Sequence, residues 1–515
     1  MPEHFERTVA PGDFPAQLGP AVPSFLIDFP DGADRVTDRR CGTAVAVGDD
    51  VIERLRGAVP EIRADDATRG DYGRDWWPLN IQWTRAGEVA GRPGVVALPS
   101  SVDEVAAVVR ICNDANIPVT VAGGRSGCVG GTIALFGGVS LDMRGLNGIV
   151  DVDAESLLVD VRTGTFGDHY EHELRIKYGL TQGHWPQSIN LATVGGWLAC
   201  RGAGQLSNRY GKIEDMVVGL EVVLADGTVI TTGGTARSAQ GPDLNQLFVG
   251  SEGTLGVVTQ ARLRARPAPT FERRSAFGFE SFAAGLDATR RILRRGLSPA
   301  VLRLYDDHES RTKFGTEGPQ SLLLVLDEGD QVVVDAAFTI VDDECAHAAR
   351  LDAELVALWL EERNDVSGIT KVLDRGIVYD TLEITAPWSK LPAIYDATVA
   401  AMMGVEHTLV ASSHQSHGYT DGACLYFTFA GMPSAEAKDE YYNAVWDAGT
   451  RTVLANGGNL SHHHGIGLNR ARFMREAHGT AFDAMVAIKQ ALDPNGILNP
   501  GKLGLPHPYG DVHFP

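Results

Sequence analysis

Five glycines fall in the eleven residues Val121-Ala122-Gly123-Gly124-Arg125-Ser126-Gly127-Cys128-Val129-Gly130-Gly131, directly after the apolar stretch Ile117-Pro118-Val119-Thr120. Glycine lets consecutive backbone N–H groups converge on an anion with no Cβ in the way. A loop of this kind behind a strand is therefore a cradle for a pyrophosphate, and it implies a nucleotide cofactor. The spacing is neither the G-x-G-x-x-G dinucleotide fingerprint nor the G-x-x-x-x-G-K-[ST] phosphate loop, which argues against an ordinary Rossmann domain and an NTPase. Taken alone, the loop reads equally well as a glycine-rich turn.

The chain is too long, at 515 residues, for a single compact core, and two or three domains are expected. A net charge of −21 argues against nucleic acid or an anionic membrane as the main partner, since either needs a basic face. Cys41, Cys112, Cys128, Cys200, Cys345 and Cys424 are widely separated and form no C-x-x-C pair, so a reducing cytoplasm is the expected compartment. The N-terminus has no apolar signal core, and no unbroken apolar run reaches the roughly 18 residues of a membrane span.

Residues 1–90 are rich in Pro, Asp and Gly and read as an extended arm, interrupted by one helical stretch over 50–59. A compact unit then opens with a strand at 95–100, a helix over 101–110 with Ser100 as N-cap, and a strand at 118–121 ending at the glycine loop. Further strands are expected at 138–141, 157–161, 217–224, 228–232 and 256–264, with Ala225-Asp226-Gly227 as a hairpin turn. Pro267-Ala268-Pro269 marks a boundary. Beyond it, 282–294, 332–357 and 481–491 read as helices, and 321–326 and 424–429 as strands. The class is α+β.

Three more loops join the first: Gly183-His184-Trp185-Pro186-Gln187-Ser188 running into Ala192-Thr193-Val194-Gly195-Gly196-Trp197; Arg201-Gly202-Ala203-Gly204 ahead of Tyr210-Gly211-Lys212-Ile213-Glu214-Asp215; and Gly250-Ser251-Glu252-Gly253-Thr254-Leu255-Gly256-Val257-Val258. Each supplies glycine where backbone must approach a ligand, with Ser or Thr as small hydrogen-bonding groups. In order and spacing, A-G-G-R-S-G, A-T-V-G-G-W, Y-G-x-I-E-D and G-S-E-G-T-L-G-V-V resemble the FAD-binding loops of the vanillyl-alcohol oxidase and p-cresol methylhydroxylase superfamily. The second half is similar to its alkyldihydroxyacetonephosphate synthase branch in Gly183-His184-x-Pro186-x-Ser188, Leu302-Arg303-Leu304, Glu383-x-x-Ala386-Pro387-Trp388, residues 421–427 and Ser461-His462-His463-His464-Gly465-Ile466-Gly467.

The resemblance implies a p-cresol methylhydroxylase-type FAD-binding domain over 91–267, after the arm at 1–90. An α+β substrate cap with an antiparallel sheet would span 268–455, and a C-terminal segment, 456–515, would complete the FAD and active site. It implies cofactor contacts from Ala122, Gly123, Gly124, Arg125, Ser126 and Gly127; from Gln187, Ser188, Ala192, Thr193, Gly195 and Gly196; from Arg201, Gly202 and Ala203; and from Glu252, Gly253, Thr254, Leu255, Gly256, Val257 and Val258. Covalent members carry a histidine near Arg125-Ser126; none stands here, so the FAD should be held non-covalently.

Imidazole titrates near neutrality, which makes the histidine triplet an acid/base candidate. A zinc site through His462 and His464, on one side of an extended segment, is the rival reading; no nearby Cys or carboxylate completes it, and no metal is expected. The resemblance assigns catalysis to His463, His464 and Tyr426. On the residues alone, Tyr426 is equally a core tyrosine with a satisfied hydroxyl. Arg303 in an apolar strand calls for an anionic partner, and with Arg375 and His462 it is a substrate-binding candidate; His414 and His417 are taken as loop residues. Two chemistries fit: hydride transfer from a hydroxylated small molecule, anionic or lipophilic, with oxygen or a carrier as electron acceptor; or the synthase's non-redox exchange of an acyl for an alkoxy group. The departure of the Arg375 spacing from the synthase pattern favours the first. A homodimer is left open as the assembly.

Overall fold

The computed structural model describes residues 5–10, 12, 14, 18–39, 42–318 and 320–512; Cys41 lies outside them. Three larger sheets carry the fold. In the first, Ile62–Arg63, Val95–Ala97, Val139–Asp142 and Val119–Ala122 lie in that order, the last three parallel to one another, under the helix Val102–Asp114. The second is antiparallel, in the order Val229–Gly233, Val217–Val223, Val257–Arg264, Leu158–Arg162, Ile149–Asp153. Its hairpin turns at Asp226-Gly227, where Gly227 takes φ +80° and the Asp226 carboxylate accepts from Thr228 N–H.

The third sheet has eight strands and is antiparallel throughout. Its path runs Phe5–Thr8, Phe271–Phe279, Ser321–Gly329, Val301–Tyr305, Thr408–Gly418, Gly422–Gly431, Val378–Pro387, with Ala349–Leu351 pairing Phe271–Phe279 beside it. The helices Leu391–Met403 and Lys438–Ala455 bury Ile394, Met402, Tyr442 and Trp446 against Leu382, Ile384, Phe427 and Phe429. Side chains alternate along a strand, so Glu383 and Tyr426 point to the opposite face. Register aligns Glu383 with Tyr426, Tyr426 with His414 and His414 with Tyr305, which makes one transverse row of polar rings and a carboxylate. That face is turned toward the first half of the chain, since Tyr305 packs in one core cluster with Trp185, Trp197 and Leu206.

Several expectations need correction. Ser101, not Ser100, caps the helix Val102–Asp114, its hydroxyl accepting from Glu104 N–H, while Ser100 binds the Glu104 carboxylate. The single helix over 332–357 is two, Gln331–Glu344 and Glu354–Glu362; the alanine-rich stretch between them is drawn into a sheet as Ala349–Leu351. The N-terminal segment is not an extended arm: besides the expected helix, Asp49–Ala58, it folds Asp66–Asp71 and Pro78–Arg85, adds the edge strand Phe5–Thr8, and buries Trp77, Leu79 and Trp83 in the largest core cluster. Asp65 as N-cap and Pro78 in the first turn supply the start signals for two of those helices. His414 and His417 lie on a strand, not a loop. No helix among the described residues is long and apolar enough to cross a membrane.

Candidate active site

The first glycine loop leaves the strand Val119–Ala122 and packs against residues 191–193. A Cβ on Gly124 would stand 1.9 Å from the Leu191 carbonyl oxygen, and one on Gly123 2.4 Å from Thr193 Oγ1. Thr193 in turn caps the helix Val194–Cys200, accepting from Gly196 N–H at 3.3 Å. Glu252 N–H donates to the Ala199 carbonyl, Gly253 abuts Val121, and Arg201 closes the same helix at φ +59° and lies 3.3 Å from Glu214. These contacts bring the loops bearing Ala122–Gly127, Ala192–Gly196, Arg201–Ala203 and Glu252–Val258 together. Gln187 and Ser188 border the group: Gln187 meets the Asp365 carbonyl at 3.4 Å, and the Ser188 carbonyl accepts from Leu191 and Ala192.

Among the described residues, no backbone N–H from Gly124 to Thr132 donates to a protein acceptor. Gly124, Arg125, Val129 and Gly130 are nevertheless buried, and a Cβ on Gly127 or Gly131 would meet nothing within 4 Å. Buried amides are almost always paired, so a run of consecutive unpaired ones beside open space fits an anion such as the pyrophosphate of a dinucleotide. Arg125, at φ +56°, sends its guanidinium to Asp71 at 2.6 Å and over the rings of Tyr72 and Phe25.

The histidine loop sits on the polar face of the eight-stranded sheet through one carboxylate. Glu383 is fully buried and accepts from Ser461 Oγ (2.9 Å), His462 N–H, His464 N–H (2.8 Å) and Arg470 Nη1 (2.9 Å). Burial alone would raise its pKa, but the Arg470 guanidinium, His464 and the backbone donors outweigh that and hold the carboxyl below its usual range. Glu252 grips the other end of the loop, accepting from Ile466 N–H (2.5 Å) and Gly467 N–H (2.8 Å), and Lys212 Nζ donates to the His462 carbonyl (2.7 Å). One side of the histidine loop is therefore fixed to the glycine loops and the other to the eight-stranded sheet.

The side chains then form two connected groups. His464 Nε2 pairs with Tyr426 Oη at 2.9 Å, and its Nδ1 stands 3.6 Å from Glu383 with no hydrogen-bond partner. Tyr426 stacks on His414, which pairs with Glu309 (2.9 Å) and Arg303 (2.7 Å). In the second group His462 pairs with Tyr419 Oη (2.7 Å) and His463 (2.8 Å) and stacks on His417, itself 2.6 Å from Ser207 Oγ. Burial, helped by neighbouring cationic groups, lowers His414 to about 3 and His417, His462 and His463 well below the ordinary histidine range. Burial also takes His464 to about 4, against the opposing pull of Glu383, and lifts the Tyr426 phenol well above its usual value. The imidazoles are neutral at physiological pH and available as proton acceptors.

The sequence-based zinc pair does not form: the three nitrogens that converge, within 4.8 Å of one another, belong to His417, His462 and His463. Arg303 sits where its strand predicts, but its partners are Tyr305 Oη (2.6 Å) and His414, not a carboxylate. Arg375 is exposed after the helix Gly368–Asp374 and makes no side-chain contact with the histidines. Glu383 had appeared only as one letter of a motif, and Glu309, Arg470, Ser207 and Tyr419 gave no sequence signal.

Residues 93–233 match the family described as FAD binding domain, and residues 268–503 match FAD linked oxidases, C-terminal domain. The chain is 30% identical over 512 residues to alkyldihydroxyacetonephosphate synthase of Trypanosoma brucei brucei, covering 90% of this chain and 82% of that protein. It is 29% identical over 486 residues to a probable mitochondrial D-lactate dehydrogenase of Danio rerio, with 91% and 94% covered. A solved alkyldihydroxyacetonephosphate synthase superposes with a TM-score of 0.76 at 24% identity, over 91% of this chain and 88% of the other. Substrate-bound p-cresol methylhydroxylase gives 0.72 at 17%, over 90% and 99%. The unpaired amides of the first glycine loop fit the cofactor of these proteins, and the chain belongs to the FAD-linked oxidases, as an FAD-binding enzyme with the p-cresol methylhydroxylase-type fold.

Proposed function

We propose that the enzyme oxidises a small anionic molecule bearing a hydroxyl group, using FAD held non-covalently by the four glycine loops. The observation that carries this reading is the His464–Tyr426 pair. With Nδ1 facing the Glu383 carboxylate, the ring proton belongs on Nδ1, which leaves the Nε2 lone pair on the Tyr426 hydroxyl. A substrate hydroxyl passes its proton to His464 Nε2, directly or through Tyr426 Oη, as the adjoining carbon loses hydride. Bound FAD supplies the two-electron acceptor, and oxygen or a carrier takes the electrons onward. His463 and His462, expected from the sequence to serve catalysis and substrate binding, pair with each other, and His462 with Tyr419, beside this pair.

Arg303 supports the anionic part of the reading. Its guanidinium is half-buried between two neutral partners, beside Trp359, and the carboxylate or phosphate of a substrate would complete it. The similarity to a probable D-lactate dehydrogenase is in keeping with a 2-hydroxy acid. No histidine stands near Arg125-Ser126, and Arg125 is committed to Asp71, which supports non-covalent FAD. Separated, largely buried thiols support a reducing, cytoplasmic setting. The second reading, ether-lipid synthesis by acyl-to-alkoxy exchange, is favoured by the 30% identity to the trypanosomal synthase.

The test is an anaerobic screen of the yellow holoenzyme. Bleaching of the flavin band by a 2-hydroxy acid or other hydroxylated anion supports the oxidase. An ether product from fatty alcohol and acyl-dihydroxyacetone phosphate, with no bleaching by any hydroxy acid, would overturn it in favour of the synthase.

A further inference from the structure

His184 stands outside both histidine groups of the site. It is 1% exposed, and neither Nδ1 nor Nε2 has a hydrogen-bond partner. Its ring centroid lies 4.6 Å from that of Trp197, whose buried indole Nε1 is likewise unpartnered. Two adjacent polar groups are thus stripped of water and left unpaired, an arrangement native interiors avoid unless something absent from the chain completes it. Their surroundings say what that is. Trp197 lies in the helix capped by Thr193, which touches the first glycine loop, and a Cβ on Gly202 would stand 3.6 Å from His184 Nε2 and 3.5 Å from Cys200 Sγ. Gly202, one of the residues of the third glycine loop, therefore lies directly beside that imidazole.

We infer that His184 and Trp197 Nε1 are polar partners of the bound FAD, built to be satisfied by the cofactor and unsatisfied without it. Burial, with Lys212 nearby, lowers His184 to about 3, so the imidazole stays neutral and offers one N–H and one lone pair throughout the working pH range. The inference rests on the reading that FAD occupies the four loops. It adds that this chain stores in the cofactor-free state a cost that FAD binding relieves, so that removing the polar atoms acts with opposite sign on the two states.

The experiment measures FAD affinity and the melting temperature of the apoprotein and the holoenzyme for His184→Phe and Trp197→Phe, with His184→Gln as the variant that keeps polar atoms. Both Phe variants are expected to weaken FAD binding at least tenfold, about 1.4 kcal/mol. The apoprotein should melt at the wild-type temperature or higher, and His184→Gln should recover part of the affinity. Wild-type FAD affinity in both Phe variants overturns the inference, as does an apoprotein that melts lower by as much as the holoenzyme, the signature of a merely structural ring. A wild-type protein that binds no FAD at all refutes the underlying reading instead.

Discussion

Changing Glu383 to Gln keeps the shape of the side chain and removes its charge, and the structure says where the loss falls. Ser461 Oγ, His464 N–H and Arg470 Nη1 converge on Oε1, while His462 N–H meets Oε2. With the amide oxygen at the Oε1 position, three bonds survive, weaker for want of the carboxylate's charge, and the NH2 is forced against the His462 N–H. The reverse orientation sets the NH2 against three donors. In either case Arg470, fully buried, loses its ion-pair partner. Removing one member of such a pair costs about 3–5 kcal/mol. At roughly 2–4 °C per kcal/mol for a unit of 150–250 residues, the holoenzyme should melt about 6–20 °C lower. Flavin reduction should slow by about 100-fold or more as the histidine loop loses its anchor and His464 its facing carboxylate. Differential scanning calorimetry and single-turnover absorbance at the flavin band read the two effects. In Glu383→Gln/Arg470→Met the melting temperature should recover in part while the rate does not, because the second substitution removes the unpaired buried cation and leaves the amide among the loop's donors. Wild-type melting and wild-type reduction in Glu383→Gln would refute the argument.

Three further outcomes follow from the same geometry. Arg303→Leu should raise KM for the anionic substrate by about tenfold or more with a smaller change in kcat, and an unchanged KM would remove Arg303 from the site. The rate of flavin reduction needs neutral His464, whose pKa lies near 4: the rate should be level from pH 8 down to about 5 and fall only below that, whereas an acid limb near 6.5 would contradict a buried neutral imidazole. Acid precipitation of the holoenzyme should release all of its FAD into the supernatant; yellow colour kept in the pellet would mean a covalent link that Arg125 does not make.

The glycine loops were legible because each needs bare backbone in a fixed order, a requirement written in contiguous residues. The side of Tyr426 was legible too, since strict alternation in the strand Gly422–Gly431 sets it opposite Leu425 and Phe427. What holds the histidine loop was hidden. Glu383 lies 79 residues from His462, and Glu252 214 from Ile466, separations on which local periodicity is silent. The helix expected over 332–357 failed for a related reason: Ala349–Leu351 is helix-compatible by composition, and its pairing with Phe271–Phe279 overrides local propensity. The helix expected over 50–59 forms as Asp49–Ala58, but the two that follow were masked by the Pro, Asp and Gly content around them, although Asp65 and Pro78 were cap signals in plain view.

The pairing of His464 with Tyr426 against enzyme-bound FAD is tested most directly by stopped-flow reduction of the holoenzyme with its best hydroxylated substrate, for the wild type, His464→Ala and Tyr426→Phe. Both variants should purify with full FAD content and bleach more slowly by about 10²–10⁴-fold. Full-speed bleaching in both would show that the proton leaves by another route.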